Sequence, residues 1–304
     1  TRRLAAATDA FVVRRSFPGS ADSATILAGY PWFADWGRDA FIALPGLLLS
    51  TGRFDQARRV FRTFAAHIAD GMAPNRFDDY STAAHYNSID ASLWFIVAGE
   101  RYVAATGDTD FWLSELLPAA QSIVGGYESG TRFDIHADAD GLLSGGSADT
   151  QLTWMDAQAD GRPVTPRHGK PVEVNALWYC AHRIVAERCA PADAELAGRL
   201  AAQAELIAAA FNRTFWNASG GFLYDCVGPD GPDDAFRANQ ILAVSLPHSP
   251  LPAERQSAIV RAVREKLLTP FGLRTLAPDD ADYHGRYAGG WSDRDRAYHQ
   301  GTVW

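Results

Sequence analysis

Apolar residues recur at intervals of three and four along most of this chain, the spacing that lines one buried face of an α-helix. Residues 54–68 read Phe-x-x-Ala-x-x-Val-Phe-x-x-Phe-Ala-x-x-Ile, which predicts a helix there. Similar patterns predict helices at 40–49, 88–105, 110–124, 172–189, 193–211, 235–245 and 253–268. Period-two alternation, the mark of a strand, is scarce, and only 131–136 and 221–226 suit short extended pieces. The connections are of two kinds. Thr51-Gly-Arg53 and Ala105-Thr-Gly-Asp108 are short and plain, whereas 71–87, 129–171 and 269–300 are long and rich in Trp, Asp, Asn, Gly and Pro. Loops of that length inside a compact helical chain usually carry function. Helical hairpins with plain turns at one end and elaborate loops at the other predict an all-α toroid. A helical solenoid would show a fixed-period repeat, and the sequence has none.

Composition narrows the function. With 304 residues, 47% of them hydrophobic, the chain can build a sizeable core in one large domain or two small ones. A net charge of -8 opposes a nucleic-acid or anionic-membrane partner and fits a neutral or cationic ligand. No run of about twenty apolar residues is present, and the opening Thr-Arg-Arg is unlike a signal peptide. Cys180, Cys189 and Cys226 are odd in number and lack metal-ligand spacing. They are expected to be reduced thiols of a cytoplasmic protein, and no metal or cofactor is expected. Nine tryptophans are the compositional outlier. Trp32, Trp36, Trp154, Trp291 and Trp304 stand in polar stretches, where an indole can stack on a ligand as well as fill a core.

The densest chemistry is Tyr30-Pro-Trp-Phe-Ala-Asp-Trp-Gly-Arg-Asp39, at the mouth of the first predicted helix. Aromatic faces cover the C–H surface of a pyranose, and carboxylate and guanidinium groups bind its hydroxyls. An N-capped helix preceded by core aromatics is the plainer alternative. Gln151-Leu-Thr-Trp-Met-Asp156 lies in the longest loop, flanked by Gly145, Gly146 and Gly161. A carboxyl group beside Trp154 and Met155 is expected to be partly desolvated, with a raised pKa that suits a general acid; otherwise Asp156 is a turn or capping residue. Glu173 and Asn175 open the helix at 172 and could bind sugar hydroxyls or cap that helix. Asn75, Arg76, Asp90, His299 and Gln300 stand in further polar–aromatic sets, Asp90 where a charge partner for a helix start is common. No Ser–His–Asp signature or phosphate-binding glycine loop is present.

Six motifs occur in a fixed order: Tyr-Pro-Trp-Phe-x-Asp-Trp-Gly-Arg-Asp, Pro-Asn-Arg-Phe, Tyr-Asn-x-x-Asp-Ala-x-Leu-Trp, Leu-Thr-Trp-Met-Asp-Ala, Lys-Pro-Val-Glu-x-Asn-Ala-Leu-Trp-Tyr and Tyr-His-Gln-Gly-Thr-Val-Trp. From about residue 29 to 304 the chain thereby resembles the C-terminal glucosidase domain of glycogen debranching enzymes of bacterial and archaeal type. The resemblance implies an (α/α)6 toroid like those of glucoamylase and trehalase domains, with about five of its six hairpins covered. It implies one domain over 1–304, incomplete at its C-terminus, in which 1–24 is a linker from a β-rich N-terminal domain. It also implies amylo-α-1,6-glucosidase activity with inversion, on a branched α-glucan such as glycogen or limit dextrin. Residue by residue, it makes Asp156 the general acid, and Arg38 and Asp39 the pair that holds the terminal glucose, with Trp36 against the ring. Asn75, Arg76, Asp90, Trp154, Glu173, Asn175, His299 and Gln300 fall in motifs that line the pocket. The family's general base is a Glu beyond residue 304. Two alternatives stand beside this: a trehalase- or glucoamylase-like enzyme of another linkage preference, and a non-catalytic α-glucan-binding module.

Overall fold

The spacing of three and four becomes a buried face on successive helices of the first 131 residues. Helix α1 (Gly37–Leu44) buries Phe41 and Leu44, α2 (Phe54–Ala65) buries Ala57, Val60, Phe61 and Phe64, and α3 (Ala91–Thr106) buries Leu93, Phe95, Ile96 and Tyr102. Their rings form one cluster. Phe41 meets Phe64 and Phe95 edge-on at 4.7 and 5.4 Å between centroids, and Phe61 meets Phe95 and Tyr102 at 5.5 and 5.9 Å. Each such pair contributes about 0.5–1.5 kcal/mol beyond its burial, so the cluster fixes the relative placement of the three helices. Helix α3 stops at Gly107, whose φ of 72° supplies the left-handed C-cap.

The helix expected at 110–124 is built in pieces. Thr109–Phe111 leads into a wide π turn at Trp112–Leu116 and then α4 (Leu117–Ser129), in which Pro118 has no N–H to continue a regular ladder. Part of the stretch expected as a linker is instead strand. β1 (Val12–Phe17), β2 (Ser20–Gly29) and β3 (Phe33–Asp35) form an antiparallel sheet in that order, with Val12 opposite Ile26 and Leu27 opposite Asp35. Ser23, Ala24, Thr25 and Ile26 are all buried. A strand buried on both faces shows no alternation, which is why the sequence pattern does not reveal it. Arg15 reaches from β1 to Asp35 with bonds of 2.7 and 2.6 Å, locking the sheet's edges.

These elements belong to one of two compact units, Thr1–Thr131 with Ile184–Arg199; the other is Arg132–Arg183 with Leu200–Trp304. In the computed structural model the described residues are 2–17, 20–30, 32–79, 81 and 83–304. Pro31 of the opening motif, and Thr1, Pro18 and Gly19 of the expected linker, lie outside them. In the second unit, strands Lys170–Pro171, Cys226–Gly228 and Gly231–Asp233 form a three-stranded antiparallel sheet. Helix α5 (Val172–Cys189) starts from the first of these strands, runs over the residues its pattern predicts and belongs to the first unit from Ile184 onward. Helix α6 (Ala194–Thr214) begins in the first unit and enters the second at Leu200, and α7 (Ala253–Lys266) and α8 (Trp291–Tyr298) belong to the second. The helix expected at 235–245 is replaced by a 3-10 turn at Ala238–Ile241 and a single turn at Leu242–Ser245. The strand expected at 131–136 begins instead as a tight turn, with Phe133 and Asp134 at φ 60° and 56°; only His136–Ala137 is extended.

The all-α (α/α)6 toroid is therefore not the architecture of this chain, which mixes helices and strands. Among the described residues the strands make two three-stranded and five two-stranded antiparallel sheets. Most are two or three residues long, too short for a period-two pattern to register, and they sit inside the long loops. Gln158–Ala159 pairs with Arg162–Pro163 across Asp160-Gly161, whose φ values of 53° and 73° suit a two-residue type I′ turn.

Candidate active site

In the first unit a glycine joins two of the sequence motifs. The Gly37 N–H donates to the Asn75 carbonyl at 2.7 Å, and a Cβ on Gly37 would lie 2.2 Å from the Pro74 carbonyl oxygen. No other residue fits between Trp36 and Arg38 at that distance. The close approach sets the Arg76 guanidinium over the Trp36 ring, 5.7 Å from its centroid. Arg38 is buried and forks onto Asp90, Nε to Oδ2 at 2.6 Å and Nη2 to Oδ1 at 2.8 Å, while Nη2 also reaches Ser88 at 3.2 Å. Asp90 is thus a charge partner, but of a side chain rather than of the α3 terminus. Asp39 and Trp36 are half-buried. Asn75 is 1% exposed, and both polar atoms of its side chain are buried without a hydrogen-bond partner among the described residues. A native fold seldom leaves a whole amide unsatisfied, so a water or a ligand completes its bonding.

In the second unit Asp156 stands at the lip of an aromatic wall. His299, itself buried, brings Nε2 within 3.8 Å of the Asp156 carboxylate, whose side chain keeps 36% of its exposure. The Trp154 ring meets His299 edge-on at 5.1 Å, and Trp304 closes on Trp154 at 6.0 Å. Gln300 is buried, with Oε1 lacking a hydrogen-bond partner among the described residues. Glu173 and Asn175 turn inward. Both Glu173 oxygens accept from Arg167 at 2.5 Å, and the Asn175 amide is spent on both backbone groups of Leu143 and on the Pro171 carbonyl. Each is about fully buried, with these bonds made inside the scaffold.

Behind the aromatic wall lies a polar layer that hydrophobic patterning does not reveal. Arg167 also donates to Asp225 at 2.7 Å. Asp225 accepts from the Asn239 amide at 2.7 Å, and Asn239 in turn accepts from the Trp154 indole N–H at 2.7 Å. Arg237 approaches Asp225 at 3.7 Å and donates to the His299 carbonyl at 3.0 Å. Burial alone would lower the Arg167 pKa, but the charges of Asp225 and Glu173 raise it well above the ordinary range, so it stays a cation. Two arginines and two carboxylates, all buried, balance one another. Gly169 makes room for this layer: its φ is 100°, and a Cβ there would sit 2.6 Å from the Val227 carbonyl. The available sequence signal was Arg237-Ala-Asn-Gln240, three polar residues in a stretch that otherwise reads as helix.

The sequence places the chain among glycoside hydrolases. More particularly, it belongs to the amylo-alpha-1,6-glucosidase family, whose model matches residues 6–304. It is 27% identical to the glycogen debranching enzyme of Saccharomyces cerevisiae over a 374-residue alignment. That alignment covers 92% of this chain and 24% of the yeast protein, so the chain spans about a quarter of that relative. Among solved structures its fold resembles a GH78 family rhamnosidase of Bacillus sp. GL1, with a TM-score of 0.55 and 20% identity over 75% of this chain and 22% of that one. It also resembles a rhamnosidase from Klebsiella oxytoca with rhamnose bound, with a TM-score of 0.54 and 17% identity over 76% of this chain and 41% of the other. At such identities the likeness is one of fold. No helix among the described residues is long and apolar enough to cross a membrane.

Proposed function

We propose that this chain carries an amylo-α-1,6-glucosidase activity, releasing glucose with inversion from the α-1,6 branch points of glycogen or limit dextrin. The observation that carries the proposal is Asp156, a half-exposed carboxyl group beside a buried His299 and an indole wall, backed by an ion-paired layer. In this reading Asp156 gives its proton to the glycosidic oxygen as the bond to C1 breaks. A water adds to C1 from the opposite face and surrenders its proton to a second carboxylate, about 6.5–9.5 Å from the first. In the first unit Arg38 and Asp39 bind sugar hydroxyls, Trp36 and Arg76 offer a stacked surface to a sugar ring, and Asn75 offers its unsatisfied amide to a further hydroxyl; in the second, Gln300 Oε1 accepts from a sugar hydroxyl. Glu173, Asn175 and Asp90 hold the framework.

A substrate panel tests the reading. The full protein should release glucose from branched limit dextrin and isomaltose, and far more slowly from maltose and trehalose. Release confined to maltose or trehalose would move the chain to another linkage class. Glucan binding with no release from any of them would make it a binding module.

A further inference from the structure

We propose that Asn239 is a positioning residue for the acid Asp156. The inference rests on the glucosidase reading and adds a residue to its machinery. Asn239 is 2% exposed and sits in the 3-10 turn Ala238–Ile241. Its Oδ1 accepts from the Trp154 indole N–H at 2.7 Å. Its Nδ2 donates to Asp225 Oδ1 at 2.7 Å and lies 3.4 Å from the Met155 sulfur. One amide therefore grips both residues that precede Asp156.

The orientation of that amide is fixed chemically. A carboxylate on one side admits only the NH2 end, and an indole N–H on the other admits only the oxygen. Asp225 is itself held by Arg167, which is locked onto Glu173. At one end of this chain of contacts is the buried ion-pair layer, and at the other is the carboxyl group that must point at a glycosidic oxygen. Asp156 lies in a loop with no helix or strand of its own. The bond to Trp154 is the link by which the layer sets the direction of the loop. The Arg237 bond to the His299 carbonyl holds the other wall from the same carboxylate cluster. Misplacing a catalytic group by about 1 Å costs on the order of a hundredfold in rate.

Leaving-group dependence separates positioning from general damage. Hydrolysis of an α-1,6 glucoside needs the proton of Asp156, whereas α-glucosyl fluoride expels fluoride with little help from an acid. In the full protein, Asn239→Ala should lower kcat on isomaltose by at least about tenfold while leaving kcat on the fluoride within about threefold of wild type. Asn239→Leu removes both bonds of the amide at nearly the same volume and is expected to show the same bias. Should Asn239→Ala fail to fold, the Asn239→Leu comparison decides alone. Equal losses on both substrates, or none on either, would overturn the positioning role. A wild-type protein inactive on both substrates would instead remove the glucosidase reading itself, and the positioning role with it.

Discussion

At the scale of single residues, burial decides which charges matter. The Arg38–Asp90 pair is almost wholly buried, with side-chain exposures of 9% and 2%. Asp90→Ala should leave the guanidinium stranded and cost about 3–5 kcal/mol in denaturant unfolding. The pair Arg62–Glu115 is as short at 2.6 Å but exposed, and Glu115→Ala should cost no more than about 1 kcal/mol. Equal costs for the two would mean that Arg38 is solvated. Burial also governs the thiols. All three cysteines are buried, and desolvation pushes Cys226 up to about 12. None should react with iodoacetamide at neutral pH until the chain is denatured, when mass spectrometry should find all three alkylated. Much at this scale was legible in the sequence. Trp36, Arg38, Asp39 and Asp156 stand out because aromatic and charged residues are rarely set side by side without a reason. The inward turn of Glu173 was not legible, because its partner Arg167 lies outside every motif.

At the scale of elements, the long amphipathic helices were legible and the short hairpins were not. Helix α5 follows its pattern residue for residue, because eighteen residues give several turns of periodicity. A two-residue strand gives none, and its only signal is the turn, as with Asp160-Gly161. The hairpin of His136–Ala137 with Leu143–Ser144 carries a testable electrostatic load. The Asp134 carbonyl, 2.7 Å from His136 Nδ1, raises the His136 pKa; burial works against it, and Asp138 at 2.9 Å from Nε2 adds to the rise. Burial pushes Asp138 up, but Lys170 and then His136 more than reverse this, and it lies below its ordinary value. The raised histidine stabilises the folded hairpin fully below about pH 6.5 and loses that contribution as pH rises through its folded value. The depressed aspartate stabilises it above about pH 4 and loses that contribution as pH falls through its folded value. Hydrogen exchange of the hairpin amides, corrected for intrinsic rates, should therefore show best protection between these limits. His136→Gln should abolish the loss on the alkaline side. A protection profile that is flat from pH 5 to 8 in the unsubstituted protein would contradict the assignment.

At the scale of the whole molecule, motif order carried more information than composition. A charge of -8 and nine tryptophans select no reaction. The six ordered motifs point to one family, which the match over residues 6–304 bears out. The expected architecture fared worse, since helical periodicity is blind to the many short strands that tie the loops together. The central claim is that Asp156 protonates the leaving oxygen in an inverting cleavage of α-1,6-linked glucose. Its most direct test is to follow the first minutes of limit-dextrin digestion by proton NMR with the full protein and its Asp156→Asn variant. Glucose should appear first as the β-anomer, and the variant should release it at least about a hundredfold more slowly while its melting temperature is unchanged. Release of the α-anomer, or near-normal release by the variant, would contradict the mechanism.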